Sequence, residues 1–436
     1  TYYALHPSDF SRVADRIAPS TAPAAIIGIR SIGTTLSAVF GAGLRTRGRR
    51  ASRITVRPSG HPYARLTIFS RDERAWVSEQ LHGGAHFFIV DEGPGRSGST
   101  FLSVAEALAG AGVASDEVTV IGSRAFDPQA LCAADSVARW RKFRFLPTAP
   151  SINARFENWL YIGGGDWRRY FCHADEPWPE SWTEMERLKF LSPDAKELYK
   201  FEGMGPFGAE VRERAFLLAA AGFSPPAEEA GDGFVCYQVL PGSRLSAGEL
   251  SRPVLERIAH YCAFRAAELV LDDHQGSELE EMLRFNVELE FGRELKMEAG
   301  TLSPPRPVLV DGRMQPHEWI QSGPDTILKT DAISHGDNHF FPGPCDLRWD
   351  LAATAVEWRL NQDALEFLVR RFRALSGIDA RAGLGWYMLA YSVFRMGCAK
   401  MARSTASPAD ESRLALAYAY YRERAECLLD SQEIPA

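Results

Sequence analysis

Short apolar runs alternate with amphipathic stretches in the first third of the chain. The runs at 24–29 (AAIIGI), 86–90 (HFFIV) and 117–122 (EVTVIG) are each long enough for one buried strand, and the first two lead through polar turns into helical patterns. Strands that alternate with helices in this way pack side by side in a parallel sheet. We therefore predict an α/β domain over residues 1–145 with a parallel sheet at its centre.

The pattern changes after this domain. Residues 146–180 are rich in Trp, Pro and Gly and have no clear periodicity, so we predict a connecting segment there. From residue 181, strand-like pieces such as ELYKFEG (197–203) come first, and long amphipathic helices end the chain. This order predicts a second domain of the α+β class over residues 181–436.

Composition limits the classes of function. With 436 residues the chain is too long for one core, and its 45% hydrophobic and 24% charged residues are typical of soluble globular proteins. The formal net charge of −7 offers no basic field to a polyanion, so we expect no nucleic-acid partner. No apolar run approaches the roughly 18 residues of a membrane span, and the seven cysteines contain no CxxC pair. We therefore expect a cytoplasmic protein without a membrane partner.

Two carboxylates and a small-residue loop follow the second apolar run. Asp91 and Glu92 stand at the carboxyl end of HFFIV, the edge at which parallel sheets bind ligands. The loop that follows opens a helix and offers backbone N–H groups and hydroxyls to an anion such as phosphate. Its residues are Gly95, Arg96, Ser97, Gly98, Ser99 and Thr100. The spacing fits neither the GxxxxGK[ST] nor the GxGxxG nucleotide fingerprint.

This segment resembles the PRPP-binding motif of type I phosphoribosyltransferases, in which four apolar and two acidic residues precede a loop ending in Thr-Gly-x-Thr. Upstream, GIRSIGTT (28–35) resembles the loop with which the same family grips diphosphate. The resemblance covers about residues 20–135. It implies that Asp91 and Glu92 hold the ribose hydroxyls as catalytic residues and that the 95–100 loop holds the 5′-phosphate. It also implies that Arg30, Ser31 and Gly33 hold the diphosphate, and that Mg²⁺ is held chiefly by oxygens of the diphosphate and the ribose hydroxyls.

The implied reaction transfers ribose 5-phosphate from PRPP to a nitrogenous base and releases diphosphate. The family keeps a mobile loop where residues 49–74 stand here, and its diphosphate contacts would be Arg57, His61 and Arg65. The family also carries a hood that selects the base. Only 23 residues precede the first strand, and the chain begins at Thr1 rather than methionine, so an upstream hood and the identity of the base stay open. A homodimer is expected at the level of the family.

A second group of residues lies in the strand-rich part of the second domain. Lys200 stands on a short predicted strand, and Glu210 or Glu213 on the helix that follows. This order resembles the small lobe of protein-kinase-like folds, in which a strand lysine holds the α- and β-phosphates of ATP and pairs with a helix glutamate. The resemblance implies that Lys200 and Glu210 form the nucleotide-binding pair.

Residues 308–352 resemble the catalytic and metal-binding segments of aminoglycoside phosphotransferases and choline kinases, particularly in WDLA (349–352). The resemblance covers about residues 180–430. It implies that Asp311 is the catalytic aspartate, that Asp331 binds Mg²⁺, and that Asp350 is structural. ATP would be the co-substrate, because these families transfer its γ-phosphoryl group to a small molecule.

Two other interpretations of this region stay open. A rival registration takes His335, Gly336 and Asp337 as the catalytic loop and Asp346 as the metal ligand. Alternatively His335, Asp337 and His339 bind a transition metal, since imidazole and carboxylate groups suit such ions.

We expect a bifunctional enzyme in which a phosphoribosyltransferase domain is fused to a small-molecule kinase that acts on a related metabolite. One alternative makes the second domain a nucleotide-binding pseudokinase. It is motivated by the catalytic loop, where Val-Asp replaces the usual HxD and the expected asparagine is missing near Pro316, His317 and Glu318. Another alternative is a non-catalytic sensor of PRPP or nucleotide.

Overall fold

The chain folds as two compact units, Leu5–Glu157 and Asn158–Ala436, and each has its own apolar core. The computed structural model describes residues 4–149, 155–172, 177–271, 278–304, 306–336 and 340–431. Within these ranges, no helix combines the length and the apolar character that a membrane crossing requires.

Unit 1 is built on a five-stranded parallel sheet. Its strands are β1 Ala24–Ile29, β2 Ala51–Val56, β5 His86–Val90, β6 Val118–Gly122 and β7 Arg144–Pro147, in the order β2-β1-β5-β6-β7. A hairpin of β3 Ser59–His61 and β4 Ala64–Leu66 lies outside this sheet. The helices are α1 Pro7–Val13, α2 Ile32–Thr46, α3 Arg71–His82, α4 Ser99–Gly110 and α5 Ser136–Trp140. The predicted parallel sheet is therefore present.

The central strands follow from the apolar runs of the sequence. Every residue of β1 and of β6 is buried, as is all of β5 except the half-buried His86. Strands covered on both faces read as continuous apolar runs. The edge strands β2 and β7 alternate less regularly and carry exposed arginines, and for that reason the hydrophobic pattern did not predict them.

The chain changes direction between β1 and β5. It passes from β1 through α2 to β2 on one side of the sheet, then returns through the hairpin and α3 to β5 on the other side of β1. The carboxyl ends of β1 and β5 thus form a topological switch point, the place where open parallel sheets bind their ligands. The loops 30–31 and 91–98 begin there.

Unit 2 opens with a five-stranded antiparallel sheet. Its strands are β8 Leu160–Tyr161, β9 Lys189–Leu191, β10 Glu197–Phe201, β11 Ala227–Gly231 and β12 Phe234–Gln238, in the order β11-β12-β10-β9-β8. The short α6 Arg168–Phe171 lies between β8 and β9, and α7 Gly205–Ala220 between β10 and β11. The second half of the predicted connecting segment is therefore part of a folded unit.

The rest of unit 2 is mainly helical. A small sheet contains β13 Ser243–Arg244, β14 Trp319–Gly323 and β15 Thr326–Lys329. The helices are α8 Arg252–Glu268, α9 Leu279–Phe291, α10 Arg348–Glu357, α11 Gln362–Ser376, α12 Leu384–Arg403 and α13 Pro408–Asp430. Most residues of α10 and α12 are buried in the core. The whole chain is thus mixed α/β, with a strand-rich lobe before a helical one in unit 2.

Candidate functional sites

In unit 1, the two loops at the switch point contact each other. The backbone N–H groups of Gly33 and Glu92 lie near the carboxylate of Asp91 and favour its charged form. A side chain at residue 33 would not fit, because its Cβ would lie 2.5 Å from the Val90 carbonyl oxygen and 3.1 Å from Asp91 Oδ1. Burial raises the pKa of Asp91 to about 6, although the two N–H groups oppose this effect. Sequence reasoning placed these two loops in one site, and the structure brings them together.

The loop before α4 is closed by hydroxyl contacts. Ser97 Oγ and Ser99 Oγ lie 2.9 Å apart, and they lie 2.9 and 2.8 Å from the carbonyl oxygen of Pro62 at the tip of the β3–β4 hairpin. Gly98 between them has φ +67°, a conformation that glycine adopts without the steric cost of a side chain. The hydroxyls that were predicted to bind phosphate therefore already have an acceptor, and it comes from the predicted mobile loop.

The other predicted residues of unit 1 surround these contacts. Arg30 is exposed, and its guanidinium donates to the hydroxyl and the carbonyl oxygen of Thr55 on β2 at 3.1 and 3.0 Å. Ser31, Gly95 and Arg96 are exposed, and Thr100 is half-buried at the start of α4. The edge thus combines backbone N–H groups, hydroxyls, arginines and two carboxylates, a combination that suits an anionic, hydroxyl-bearing ligand.

In unit 2, a cavity of about 480 Å³ is lined by charged and aromatic side chains. It is bordered by β10, by the residues that follow β12, by the segment around β15 and by α12. Its charged lining includes Lys200, Glu318, Lys329, Asp331 and Arg395. A cavity of this size with a few convergent polar groups is typical of a small-molecule site.

Lys200 joins two parts of unit 2 that are far apart in sequence. Its ammonium contacts the carboxylate of Asp331, 131 residues away, and lies 3.1 Å from Glu202. Lys200 is only 6% exposed, and burial opposes its charge, but the two carboxylates raise its pKa. The expected partner Glu210 is exposed on α7. The glutamate that pairs with Lys200 is instead Glu202, which directly follows β10.

Asp331 carries a negative charge at the edge of the cavity. Burial alone would raise its pKa, but Lys200 and His335 outweigh it and hold the pKa well below the ordinary value. Its φ of +52° is uncommon for a residue other than glycine, and such conformations cluster at functional sites. A carboxylate in a cavity is a suitable ligand for Mg²⁺, which prefers oxygen atoms.

Asp311 does not lie where a catalytic base is needed. It is fully buried and is absent from the lining of the cavity. Its carboxylate accepts from the Tyr261 hydroxyl at 2.5 Å and lies 3.3 Å from the ammonium of Lys329. Both contacts are made by Oδ2, and Oδ1 accepts from the backbone N–H of Arg313 at 3.1 Å. The structure thus does not place Asp311, the predicted catalytic aspartate, in the cavity, and internal partners occupy both of its oxygens. Arg313, two residues later, lines the cavity instead.

Asp350 holds the loop that contains Asp311. Its two oxygens accept from the backbone N–H groups of Asp311 and Gly312 at 2.8 and 3.0 Å, and Arg265 Nε lies 3.9 Å away. Burial raises the pKa of Asp350 to about 6, while Arg265 opposes this. These contacts agree with the structural role that was predicted for this residue.

One group of side chains in the described ranges has the spacing of a metal site. Ligand atoms of Asp311, Glu318 and His335 all lie within 4.8 Å of one another. However, the buried ammonium of Lys329 lies 2.8 Å from Glu318 and 3.3 Å from Asp311. Lys329 and Asp311 are 0% exposed, and the lysine already supplies a cation to both carboxylates, so these residues do not fit a metal ion. Asp331 differs, because 29% of its side chain is exposed although it contacts Lys200.

The rival registration receives no geometric support from Asp346. Both of its oxygens contact the guanidinium of Arg348, and it does not line the cavity. Asp337 and His339 lie outside the described residues, so the transition-metal interpretation rests on His335 alone.

The connection between β8 and β9 forms part of the cavity wall, which the sequence did not indicate. Arg168 in this connection pairs with Asp410 on α13 at 2.7 Å, and both side chains are buried. Glu180 pairs with Arg395 on α12 at 2.8 Å, and Trp182 stacks on Phe340. The connection thus reaches from the strand-rich lobe to the last helices. The Trp and Arg residues of this connection suggested that it packs against other parts of the chain. Because the segment has no periodicity, the sequence did not show which elements it contacts.

Several solved structures are similar to this chain. One is a choline/ethanolamine kinase family protein from Mesorhizobium loti, with 15% sequence identity, a TM-score of 0.40, and coverage of 57% of this chain and 87% of that one. A choline kinase from Cryptosporidium parvum has 9% identity, a TM-score of 0.38, and coverage of 56% and 87%. A spectinomycin phosphotransferase, solved with ADP and spectinomycin, has 11% identity, a TM-score of 0.36, and coverage of 56% and 88%.

A scan against protein-family models and a search of curated proteins both find no match. Functional assignment therefore depends on the contacts within each unit.

Proposed function

We propose that unit 2 binds a nucleoside triphosphate in its cavity and transfers the γ-phosphoryl group to a small molecule. The observation that carries this proposal is the contact between Lys200 and Asp331 in the cavity wall. A cation for phosphate oxygens and a carboxylate for a metal ion lie side by side, as phosphoryl transfer requires. Glu202 keeps Lys200 charged and fixes its position.

In this reaction Lys200 would bind α- and β-phosphate oxygens, and Asp331 would hold Mg²⁺. The metal ion would supply positive charge to the β- and γ-phosphates. The bond between the γ-phosphorus and the bridging oxygen breaks, a bond from the acceptor oxygen to that phosphorus forms, and the acceptor proton is released to water. Because the transition state is loose, positioning and charge contribute more than a strong base. A buried Asp311 is compatible with such a reaction.

The nucleotide site can be tested by comparing Lys200 on β10 with Lys196, which directly precedes this strand. Lys200→Met should weaken binding of Mg²⁺-ATP by about tenfold or more, since a charge-assisted contact contributes about 1.5–3 kcal/mol. Lys196→Met is the matched control, because this lysine is 79% exposed and pairs with Asp194 at the surface. Isothermal titration gives the affinities. Equal affinities for the two variants would refute the assignment of the nucleotide site.

Turnover separates an active kinase from a pseudokinase. Asp331→Asn should abolish release of ADP from ATP across a panel of small acceptors. Binding of ATP without turnover in the wild-type chain, with any acceptor of the panel, would instead identify unit 2 as a nucleotide-binding pseudokinase.

A second function, PRPP-dependent transfer of ribose 5-phosphate, is favoured by the switch-point contact in unit 1. Gly33 in the proposed diphosphate loop lies close to Asp91 of the proposed ribose-binding pair, since a Cβ at residue 33 would lie 3.1 Å from Asp91 Oδ1. In the reaction the bond from C1′ to the diphosphate oxygen breaks, a bond from C1′ to a ring nitrogen of the base forms, and the nitrogen loses its proton to water. Asp91 and Glu92 would position the ribose while charge spreads at C1′.

Titration of PRPP with Mg²⁺ into the wild-type chain and into an Asp91→Asn, Glu92→Gln double variant tests this function. We expect micromolar binding that is lost in the double variant. Diphosphate release across a panel of nitrogenous bases would then identify the acceptor. PRPP binding without diphosphate release for every base would favour the sensor alternative, and no binding would exclude PRPP as the ligand.

A further inference from the structure

A cluster of cationic and neutral donors lies in the cavity wall away from Lys200. Arg395 donates to Glu180 at 2.8 Å, and Gln315 donates to the same carboxylate oxygen at 2.8 Å. Arg313 in turn donates to Gln315 at 3.1 Å and lies 2.9 Å from Glu318. Arg313 and Arg395 both line the cavity. Two guanidinium groups are therefore held in fixed positions by one small network.

Two donors next to this network are not used. Arg395 is only 8% exposed, and its Nε has no hydrogen-bond partner among the described residues; the nearest carboxylate, that of Glu357, is 3.8 Å away. The indole Nε1 of Trp182 is likewise buried without a partner in those ranges. Trp182 also lines the cavity and stands two residues after Glu180. Buried donors without partners are rare in folded proteins and require an explanation.

Both unused groups can only donate hydrogen bonds. Their missing partner is therefore an acceptor. Arg313 and Arg395 are paired with carboxylates, but the cavity lining as a whole has more cationic than anionic side chains, which favours an anionic acceptor over a neutral one. The cationic residues are Arg187, Lys189, Lys200, Arg244, Arg313, Lys329 and Arg395, and the anionic ones are Glu180, Glu186, Glu318 and Asp331. The terminal oxygens of a phosphomonoester can accept from several donors at once, and Arg forms fork-shaped pairs with such groups.

We propose that the phosphoryl acceptor of unit 2 is a phosphomonoester whose phosphate binds Arg313, Arg395 and Trp182. This proposal rests on the phosphotransferase function of unit 2. A hydroxyl of the same molecule attacks the γ-phosphorus of the nucleotide, the bond from that phosphorus to the bridging oxygen breaks, and the hydroxyl proton passes to water. The product of the reaction proposed for unit 1 is a base joined to ribose 5-phosphate, and this product is also a phosphomonoester.

The indole signal of Trp182 provides a test that is specific to unit 2. In a ¹⁵N-correlated spectrum of the full chain, Trp182→Phe identifies this signal among those of the ten tryptophans. Ribose 5-phosphate, added with ADP and Mg²⁺, should shift it, whereas ribose should not. Gluconate tests the alternative anion. No shift with ribose 5-phosphate, or an equal shift with gluconate, would overturn the proposal. Binding of ribose 5-phosphate in unit 1 does not report on this indole.

Affinity measured from the same signal tests the arginine. Arg395→Gln should weaken ribose 5-phosphate binding by about tenfold or more, since a charge-assisted hydrogen bond is lost. Unchanged affinity in this variant would overturn the assignment. If Arg395→Gln does not fold, Trp182→Phe supplies the second measurement. A phenyl ring at residue 182 can still stack on Phe340. Isothermal titration of ribose 5-phosphate into this variant should show weaker binding at the site in unit 2 and unchanged binding at the site in unit 1. ADP titration in each sample shows separately whether the nucleotide proposal has failed.

Discussion

The ammonium of Lys329 lies 2.8 Å from the carboxylate of Glu318, and solvent reaches almost none of either side chain. Asp311 lies 3.3 Å from the same ammonium, so one lysine is shared by two buried carboxylates. Burial alone would lower the pKa of Lys329, but these carboxylates raise it. The charged lysine thus stabilises the two buried carboxylates beside the cavity.

Lys329→Met should lower the free energy of unfolding by about 3–5 kcal/mol, because removal of one member of a buried ionic network leaves uncompensated charge. Thermal unfolding of the full chain measures this loss. Mn²⁺ should restore part of the stability, since the three ligand atoms near Glu318 then lack their internal cation. Lys196→Met, at an exposed site, should change stability by no more than about 0.5 kcal/mol. A similar loss in both variants would contradict the role of Lys329.

Asp350→Asn should lower the free energy of unfolding by about 1–3 kcal/mol, because an amide cannot accept from both Asp311 N–H and Gly312 N–H. Urea denaturation measures the loss. Asp325→Asn, in an exposed turn before β15, is the matched control, since asparagine suits turns as well as aspartate does. If Asp350→Asn were as stable as this control, the two backbone contacts would not hold the loop.

Asp91 predicts a pH dependence in unit 1. Its pKa is raised from 3.8 to about 6 in the folded chain, so the native state binds more protons than the unfolded state between these values. Stability from this group is therefore present at low pH and is lost as pH rises through this window, by at most about 1.4 kcal/mol per pH unit. Asp91→Asn should remove this loss and be more stable than wild type at pH 7.5. Hydrogen exchange of the backbone amides in β1 and β5 measures this stability as a function of pH.

Asp72→Asn serves as the control for this pH profile, because Asp72 is exposed in the first turn of α3 in the same unit. Its profile should follow that of the wild type. A wild-type profile in which the stability of β1 and β5 rises between pH 4 and pH 6 would contradict the burial of the Asp91 charge.

Gly98 and Gly95 form a matched pair in the loop before α4. Gly98→Ala should destabilise unit 1 by about 1–3 kcal/mol, because φ is +67° and the new Cβ would lie 2.7 Å from Leu131. Gly95→Ala should be nearly neutral, since no atom of the described residues, apart from Gly95 and its two chain neighbours, lies within 4 Å of the Cβ position. Protease sensitivity of unit 1 compares the two variants. Equal sensitivity would show that the loop does not require the left-handed conformation.

The sequence predicted features that depend on local pattern. The apolar runs of β1, β5 and β6 identify the parallel sheet, because strands buried on both faces have no polar positions. The place of Lys200 before the helical lobe follows from the order of strands and helices. These predictions need no knowledge of which distant residues meet.

Contacts between residues that are distant in sequence could not be predicted from local pattern. Asp311 has the residue type of a catalytic base, but Tyr261 and Lys329, 50 and 18 positions away, occupy its carboxylate. Glu210 has the expected helical position, yet Glu202 is closer to Lys200. A charged lysine at the end of the apolar strand TILK was the available sign that a buried carboxylate lies nearby, because lysines are almost never fully buried unless paired.

The contact of Ser97 and Ser99 with the Pro62 carbonyl oxygen has a thermodynamic consequence. A phosphate that enters this loop replaces one acceptor by another, so the number of hydrogen bonds changes little and affinity depends mainly on charge. Affinity should therefore decrease as ionic strength rises. The same exchange releases the tip of the β3–β4 hairpin, so that ligand occupancy and freedom of the hairpin belong to one linked equilibrium. A spectroscopic probe attached to the hairpin would therefore report phosphate binding in the loop before α4.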